Sequence, residues 1–149
     1  MILNHGLNSL PTGGDFVEIG GRKYPYVQIG DKLWMVENLQ YDIGNGYTGF
    51  YTTSEAQSQI IPIMPSGWRI PFQNDFTTLS TYIQNDGYSD VSKALRSTSG
   101  WTQGDGDDVY GFDARPLGYY NGSNNVDVGI SFLLRATFDS YHATAAAHI

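Results

Sequence analysis

The sequence predicts an α+β domain, and three observations carry that reading. Near the N-terminus, runs rich in Val, Ile, Tyr and Phe are joined by two-residue glycine turns. Residues 71–87 alone switch clearly to a helical period. After Gly100 the chain returns to short runs punctuated by glycine. A chain of 149 residues with 18 Gly, 11 Tyr and 14% aromatic content is long enough for one domain with its own core, and too aromatic for a disordered chain.

The first residues are polar, lack periodicity and end in PTGG, which predicts an extended N-terminal arm over 1–14 ahead of one domain over 15–149. DFVEI, RKYPYVQI and KLWMV then read as three antiparallel strands, with Gly20-Gly21 and Gly30-Asp31 supplying the positive φ of tight hairpins. Pro25 has no amide hydrogen, so the middle strand is expected at an edge or at a bulge. Residues 42–66 mix turn signals, a short apolar run and two prolines, which predicts a long surface loop with a helical turn at Ser54 to Ile60.

Phe72, Phe76, Leu79 and Ile83 recur at helical spacing and predict the main helix over about 72–85. Pro71 suits its start, and Asn85-Asp86-Gly87 its end. Asp90 is a capable N-cap for a second, short helix over about 90–97, with Val91, Ala94 and Leu95 turned inward. WTQGDGDDVYGFDARPLGYYNG reads as loop, short strand and turn. VDVGISFLLRATF reads as a strand pair or one long buried strand, and YHATAAAHI is open between helix and strand. No repeat of 20 to 50 residues is visible.

The formal net charge is -7 with only eight Lys plus Arg, so neither nucleic-acid phosphates nor an anionic membrane surface is an expected partner. No run is long enough for a membrane-spanning helix, and the N-terminus lacks a basic region followed by an apolar block, so no secretion signal is read. With no cysteine, disulfides, thiolate metal sites and thiol nucleophiles are excluded. His5, His142 and His148 lack zinc-site spacing and read as surface residues.

In GDGDDVYG, Asp105, Asp107 and Asp108 offer the hard oxygen atoms that calcium prefers, but without the spacing of an EF-hand; the loop reads as a solvated turn with no cofactor, and calcium is the alternative. No nucleophile elbow or phosphate-binding glycine loop is present, so a non-enzymatic protein is expected. Tyr47, Tyr51, Tyr110, Tyr119, Tyr120 and Tyr141 lie in loop-like sequence beside small polar residues, the mixture that antibody-type surfaces use. The alternative is ordinary tyrosine usage in a hairpin-rich domain.

YPYVQIGDKLWMVENLQY, PSGWRIPFQNDFTTLSTYI, KALRSTSGW and DVYGFDARPLGYYNG, in that order and spacing, resemble the Fibrobacter succinogenes major paralogous domain. The resemblance runs from about Val17 to Thr137. It implies a C-type-lectin-like fold, related to formylglycine-generating enzymes and to the variable proteins of diversity-generating retroelements. It also implies that Trp34, Trp68 and Trp101 are anchors of the scaffold, with Trp34 holding the hairpin against the helix that starts near Pro71. Phe72 occupies the place where relatives often carry a Ser or Thr cap, so the cap is expected to be lost unless Asn74 replaces it. The missing cysteines set the chain apart from the oxidase chemistry of formylglycine-generating enzymes.

Together with the lack of a secretion signal, the resemblance implies a phage virion protein that is non-enzymatic and recognises a bacterial surface glycan or protein. Its arm would dock onto other virion subunits, and homo-oligomers are expected. Tyr119, Tyr120, Phe138, Asp139, Tyr141 and His142 form the expected ligand face. Residues 138–144 are all reachable from asparagine codons by changing adenines, as in retroelement diversification. The alternative is an adhesin or scaffold domain on a bacterial cell surface.

Overall fold

A computed structural model describes residues 2–4, 16–46, 49–120 and 123–129 of the chain. Strands β1 (Ile2–Asn4), β2 (Phe16–Ile19), β3 (Arg22–Ile29), β4 (Lys32–Met35) and β5 (Trp68–Arg69) form one antiparallel sheet in the order β2-β3-β4-β1-β5. The predicted three-strand meander is present, and its turn residues Gly20, Gly21 and Gly30 have φ of 59°, 81° and 66°. Such angles strain any residue with a Cβ.

Two details differ from expectation. Ile2–Asn4, within the segment read as an arm, pairs inside the domain's own sheet, between β4 and β5. Pro25 lies in an interior strand, not at an edge. Its carbonyl accepts from Val36 N–H at 3.1 Å, one residue beyond β4, so the missing amide hydrogen falls where that ladder ends.

Strand alternation sends neighbouring residues of β4 to opposite faces. Met35 joins Val17, Ile19, Tyr24, Leu39, Tyr51, Ala56 and Ile60 in one buried cluster. Trp34 joins Ile29, Leu79, Ile83, Ala94, Leu95, Phe112 and Ala114 in the other. The sheet is therefore covered on both faces, and the short apolar run LWM is explained.

The region expected as a loop with one helical turn is more regular. Thr53–Glu55 (α1) continues into a π-helical turn, Ala56–Ile60, and a 3-10 turn, Ile61–Ile63. Thr52 and Glu55 cap its start reciprocally: the Glu55 N–H donates to Thr52 Oγ1 at 3.2 Å, and the Thr52 N–H to Glu55 Oε2 at 2.7 Å. Pro62 fits the 3-10 turn because its fixed φ suits the first helical positions.

The main helix, α2, spans Gln73–Asn85, and the short α3 spans Val91–Leu95, with Asp90 Oδ1 accepting from Lys93 N–H at 2.9 Å. Both predicted helices are thus present, α3 ending two residues earlier than expected. Arg96 instead bridges to Ala114. Tyr119–Tyr120 (β6) and Asn125–Val126 (β7) form a separate two-stranded ribbon. Of the strands expected in VDVGISFLLRATF, only Val126 falls in a described strand; residues 130–149 lie outside the described residues.

The structure supports a mixed α+β arrangement built on an antiparallel sheet and these helices. Among the described residues no helix is long and apolar enough to cross a membrane.

Candidate functional site

The end of α2 brings three tyrosines together. Tyr82 lies off the apolar stripe of Leu79 and Ile83, and its ring packs over the Gly30 turn. An added Cβ at Gly30 would stand only 3.1 Å from that ring. Beyond the helix, Tyr88 N–H donates to the Ile83 carbonyl at 3.1 Å, and Gly87 takes φ 102°, so the chain turns sharply and sets the Tyr88 ring beside the helix end.

Tyr110 comes from the far loop and sits between the two. Its ring lies 6.4 Å from that of Tyr82 and 5.8 Å from that of Tyr88, both edge to face. Its hydroxyl donates to Asp86 Oδ2 at 2.7 Å. Burial, and then the Asp86 hydrogen bond and charge, raise the Tyr110 phenol well above the usual range, so it remains a donor. The outer rings stay accessible, Tyr82 at 42% and Tyr88 at 38%. Removing the Tyr110 hydroxyl tests the anchor: Tyr110→Phe is expected to cost about 1 kcal/mol by denaturant titration with the fold retained.

The acidic loop that presents Tyr110 is held by its backbone. α3 leaves its last carbonyls without intrahelical partners, as every helix does. Here Lys93, Ala94, Arg96 and Ser97 carbonyls accept from the N–H groups of Asp107, Val109, Asp108 and Gly106, at 2.8 to 3.1 Å. A side chain at Gly106 would collide with the Arg96 carbonyl, so glycine is required by close approach.

The three carboxylates considered as calcium ligands are directed to separate partners. Asp105 accepts from Trp101 N–H at 3.1 Å, Asp107 pairs with Lys93 at 3.0 Å, and Asp108 accepts from Asp113 N–H at 2.8 Å. Among the described residues no group of three His, Cys, Asp or Glu side chains could hold a metal. Burial raises the Asp108 carboxyl above its ordinary value, with the nearby Asp113 charge adding to the rise. The loop's glycine and aspartate density serves to cap a helix.

Of the expected ligand residues, Tyr119 and Tyr120 form β6. Phe138, Asp139, Tyr141 and His142 lie outside the described residues, as do Tyr47 and all three histidines. Tyr51 is no surface tyrosine. It is buried, and its hydroxyl donates within reach of the Tyr41 and Leu39 carbonyls at 2.6 and 3.2 Å. Burial pushes its phenol up to about 12.

Tyr82 and Tyr88 were absent from the expected ligand face. An available signal was Tyr82's place outside the Leu79/Ile83 stripe, since a bulky aromatic on the polar side of a helix has no core to fill.

The site offers ring faces, two outer hydroxyls and a carboxylate, carried by the end of α2 and by the loops packed against it. Such groups suit recognition by contact. Comparison with known proteins gives one family match: the model of the Fibrobacter succinogenes major domain fits residues 42–141. The match takes in α1 to β7 and the whole tyrosine cluster, and starts after the Trp34 hairpin rather than near Val17. No curated protein and no solved structure matches the chain.

Proposed function

Because the chain belongs to the Fibrobacter succinogenes major domain family, we propose that it is a non-enzymatic recognition module of a bacterial cell surface, serving as an adhesin or scaffold domain. Its α+β arrangement is read here as a variant of the C-type-lectin-like fold, a rigid frame whose loops bind. The observation that carries the proposal is the exposed tyrosine group Tyr82, Tyr88 and Tyr110, fixed to Asp86 at the end of α2. Tyrosines of this kind bring large contact area with little rotamer entropy to lose. The ligand would be a surface glycan or protein, with Tyr119, Tyr120 and the segment holding Phe138, Asp139, Tyr141 and His142 as a second candidate face. A virion component, docked through its N-terminal residues, is the rival placement.

Binding of labelled protein to whole bacterial cells tests the site. Tyr82→Ala with Tyr88→Ala is expected to weaken binding at least tenfold while leaving the melting temperature within a few degrees, since neither ring belongs to the buried core. Unchanged binding in that variant, with loss in Tyr141→Ala/His142→Ala, would move the site to the second face. Peptide mass spectrometry of density-gradient fractions separates the placements. Peptides confined to the outer-membrane band support a cell-surface module. Peptides at a constant ratio to capsid protein in a particle band support a virion.

A further inference from the structure

The strand order contains a feature that a chain-local meander would not produce. β1 stands between β4 and β5, making three register pairs with the first and two with the second. Among the described strands β5 pairs with β1 alone. The hairpin half of the sheet is therefore joined by strand pairing to the segment that leads into α2 only through Ile2–Asn4. Arg69, opposite Ile2 in that register, also grips Asp75 at the start of α2.

We infer that the slot between β4 and β5 accepts β1 from a second copy of this chain, so that the domain assembles by strand exchange at high local density. Every copy presents the same slot and the same strand. An exchanged β1 would remake the register Ile2↔Trp34, Leu3↔Leu33 and Asn4↔Lys32 without loss of backbone pairing. Because the pairing is equal in both arrangements, the choice rests on the competition between a tethered strand and a neighbour's strand.

The connection has the reach for either. β1 runs antiparallel to β4, β4 to β3 and β3 to β2, so β1 ends and β2 begins at the same end of the sheet. Three strand spacings separate them sideways, about 14 Å. Phe16 pairs with Pro25, and Asn4 with Lys32 opposite Ile29, which adds about 13 Å along the strands. The gap is then roughly 20 Å, whereas residues 5–15 can span up to about 40 Å. A connection of that many residues is long enough to join β1 to β2 across either its own sheet or a neighbour's. Exchange would also multiply the copies that engage a surface together, although it does not depend on where the ligand binds.

Removing residues 7–14 leaves three connecting residues, which span at most about 14 Å and cannot return β1 to its own slot. By light scattering coupled to size exclusion, this variant is expected to be a dimer or higher closed assembly, with a dissociation constant at least tenfold below that of the full chain. Adding Leu3→Pro removes an amide that a central strand needs, and should restore the monomer. A second measurement covers the case in which the proline variant fails to fold. The chain has no cysteine, so Leu3→Cys with Leu33→Cys in the shortened background provides a unique cross-strand pair. Disulfide-linked dimers on a non-reducing gel are expected. A shortened variant that stays monomeric, a dimer that persists with Leu3→Pro, or disulfides formed only within one chain would each overturn the inference.

Discussion

Trp34→Ala is expected to cost about 4 kcal/mol. The indole is fully buried, with 0% of its surface accessible. Its rings meet Phe76 of α2 at 5.4 Å and Phe112 of the far loop at 6.1 Å, so one side chain joins the sheet, the helix and the loop that presents Tyr110. Truncation would open a cavity among three elements that cannot collapse onto it independently. For a domain of ordinary stability this is about a quarter or more of the total. Trp34 Nε1 has no hydrogen-bond partner among the described residues, so the contribution is one of packed apolar area. Trp34→Phe should accordingly recover a substantial part of the loss. Urea denaturation of both variants checks this; an alanine variant as stable as the wild type would remove the anchor role.

Asp75→Ala is expected to cost about 3 kcal/mol, because it strands a partly buried guanidinium and uncaps α2 together. Arg69 donates to both Asp75 oxygens, at 2.6 and 2.8 Å, while Phe72 N–H donates to Oδ2 at 2.7 Å. This is the reciprocal half of a capping box. The other half is missing because phenylalanine has no side-chain acceptor. Asp75, not the expected Asn74, compensates for the absent Ser or Thr cap. The Phe72 ring meanwhile lies 4.8 Å from the Arg69 guanidinium, which explains an exposed phenylalanine at a helix start.

Burial alone would raise the Asp75 carboxyl. The Arg69 hydrogen bonds, the Phe72 N–H and the Arg69 and Lys32 charges outweigh it and hold the group below the usual carboxylate value. A carboxylate depressed in the folded state stabilises the fold above its unfolded pKa, near 3.9, and that contribution is lost as pH falls below that value through the folded pKa. Denaturation midpoints followed from pH 6 to pH 2 should therefore fall less steeply in Asp75→Asn than in the wild type. Parallel profiles would show that the pair contributes nothing to acid stability.

Much of the scaffold was legible in the chain. The glycine turns at 20–21 and 30–31 fixed three strands within a residue or two, because positive φ and strand alternation are local properties. The 3.6-residue period located α2, and Asp90 located α3 for the same reason. Family membership was legible too, although the matched region begins at residue 42 and leaves the Trp34 hairpin outside it. The binding surface was harder. Tyr51 and Tyr110 looked alike in sequence, each beside small polar residues, yet one is core and the other the hub of an exposed cluster. Burial depends on what packs from elsewhere, and no local pattern reports that.

The aspartates of GDGDDVYG show the same limit from the other side. Their composition suits a cation, but the backbone amides around them bond to carbonyls of α3 and of the two residues after it, and each carboxylate meets a different protein partner. The sequence by itself determined the α+β class, the first hairpins and the helices α2 and α3, since each follows from periodicity or turn chemistry, while the place of Trp34 at their centre was implied by the family resemblance. Only the tertiary structure decided that Ile2–Asn4 enters the sheet between β4 and β5, that Asp75 caps α2 through Arg69, and that Tyr82, Tyr88 and Tyr110 meet around Asp86. Those are contacts between residues distant in the chain, and their free energy arises only once the core has brought the elements together.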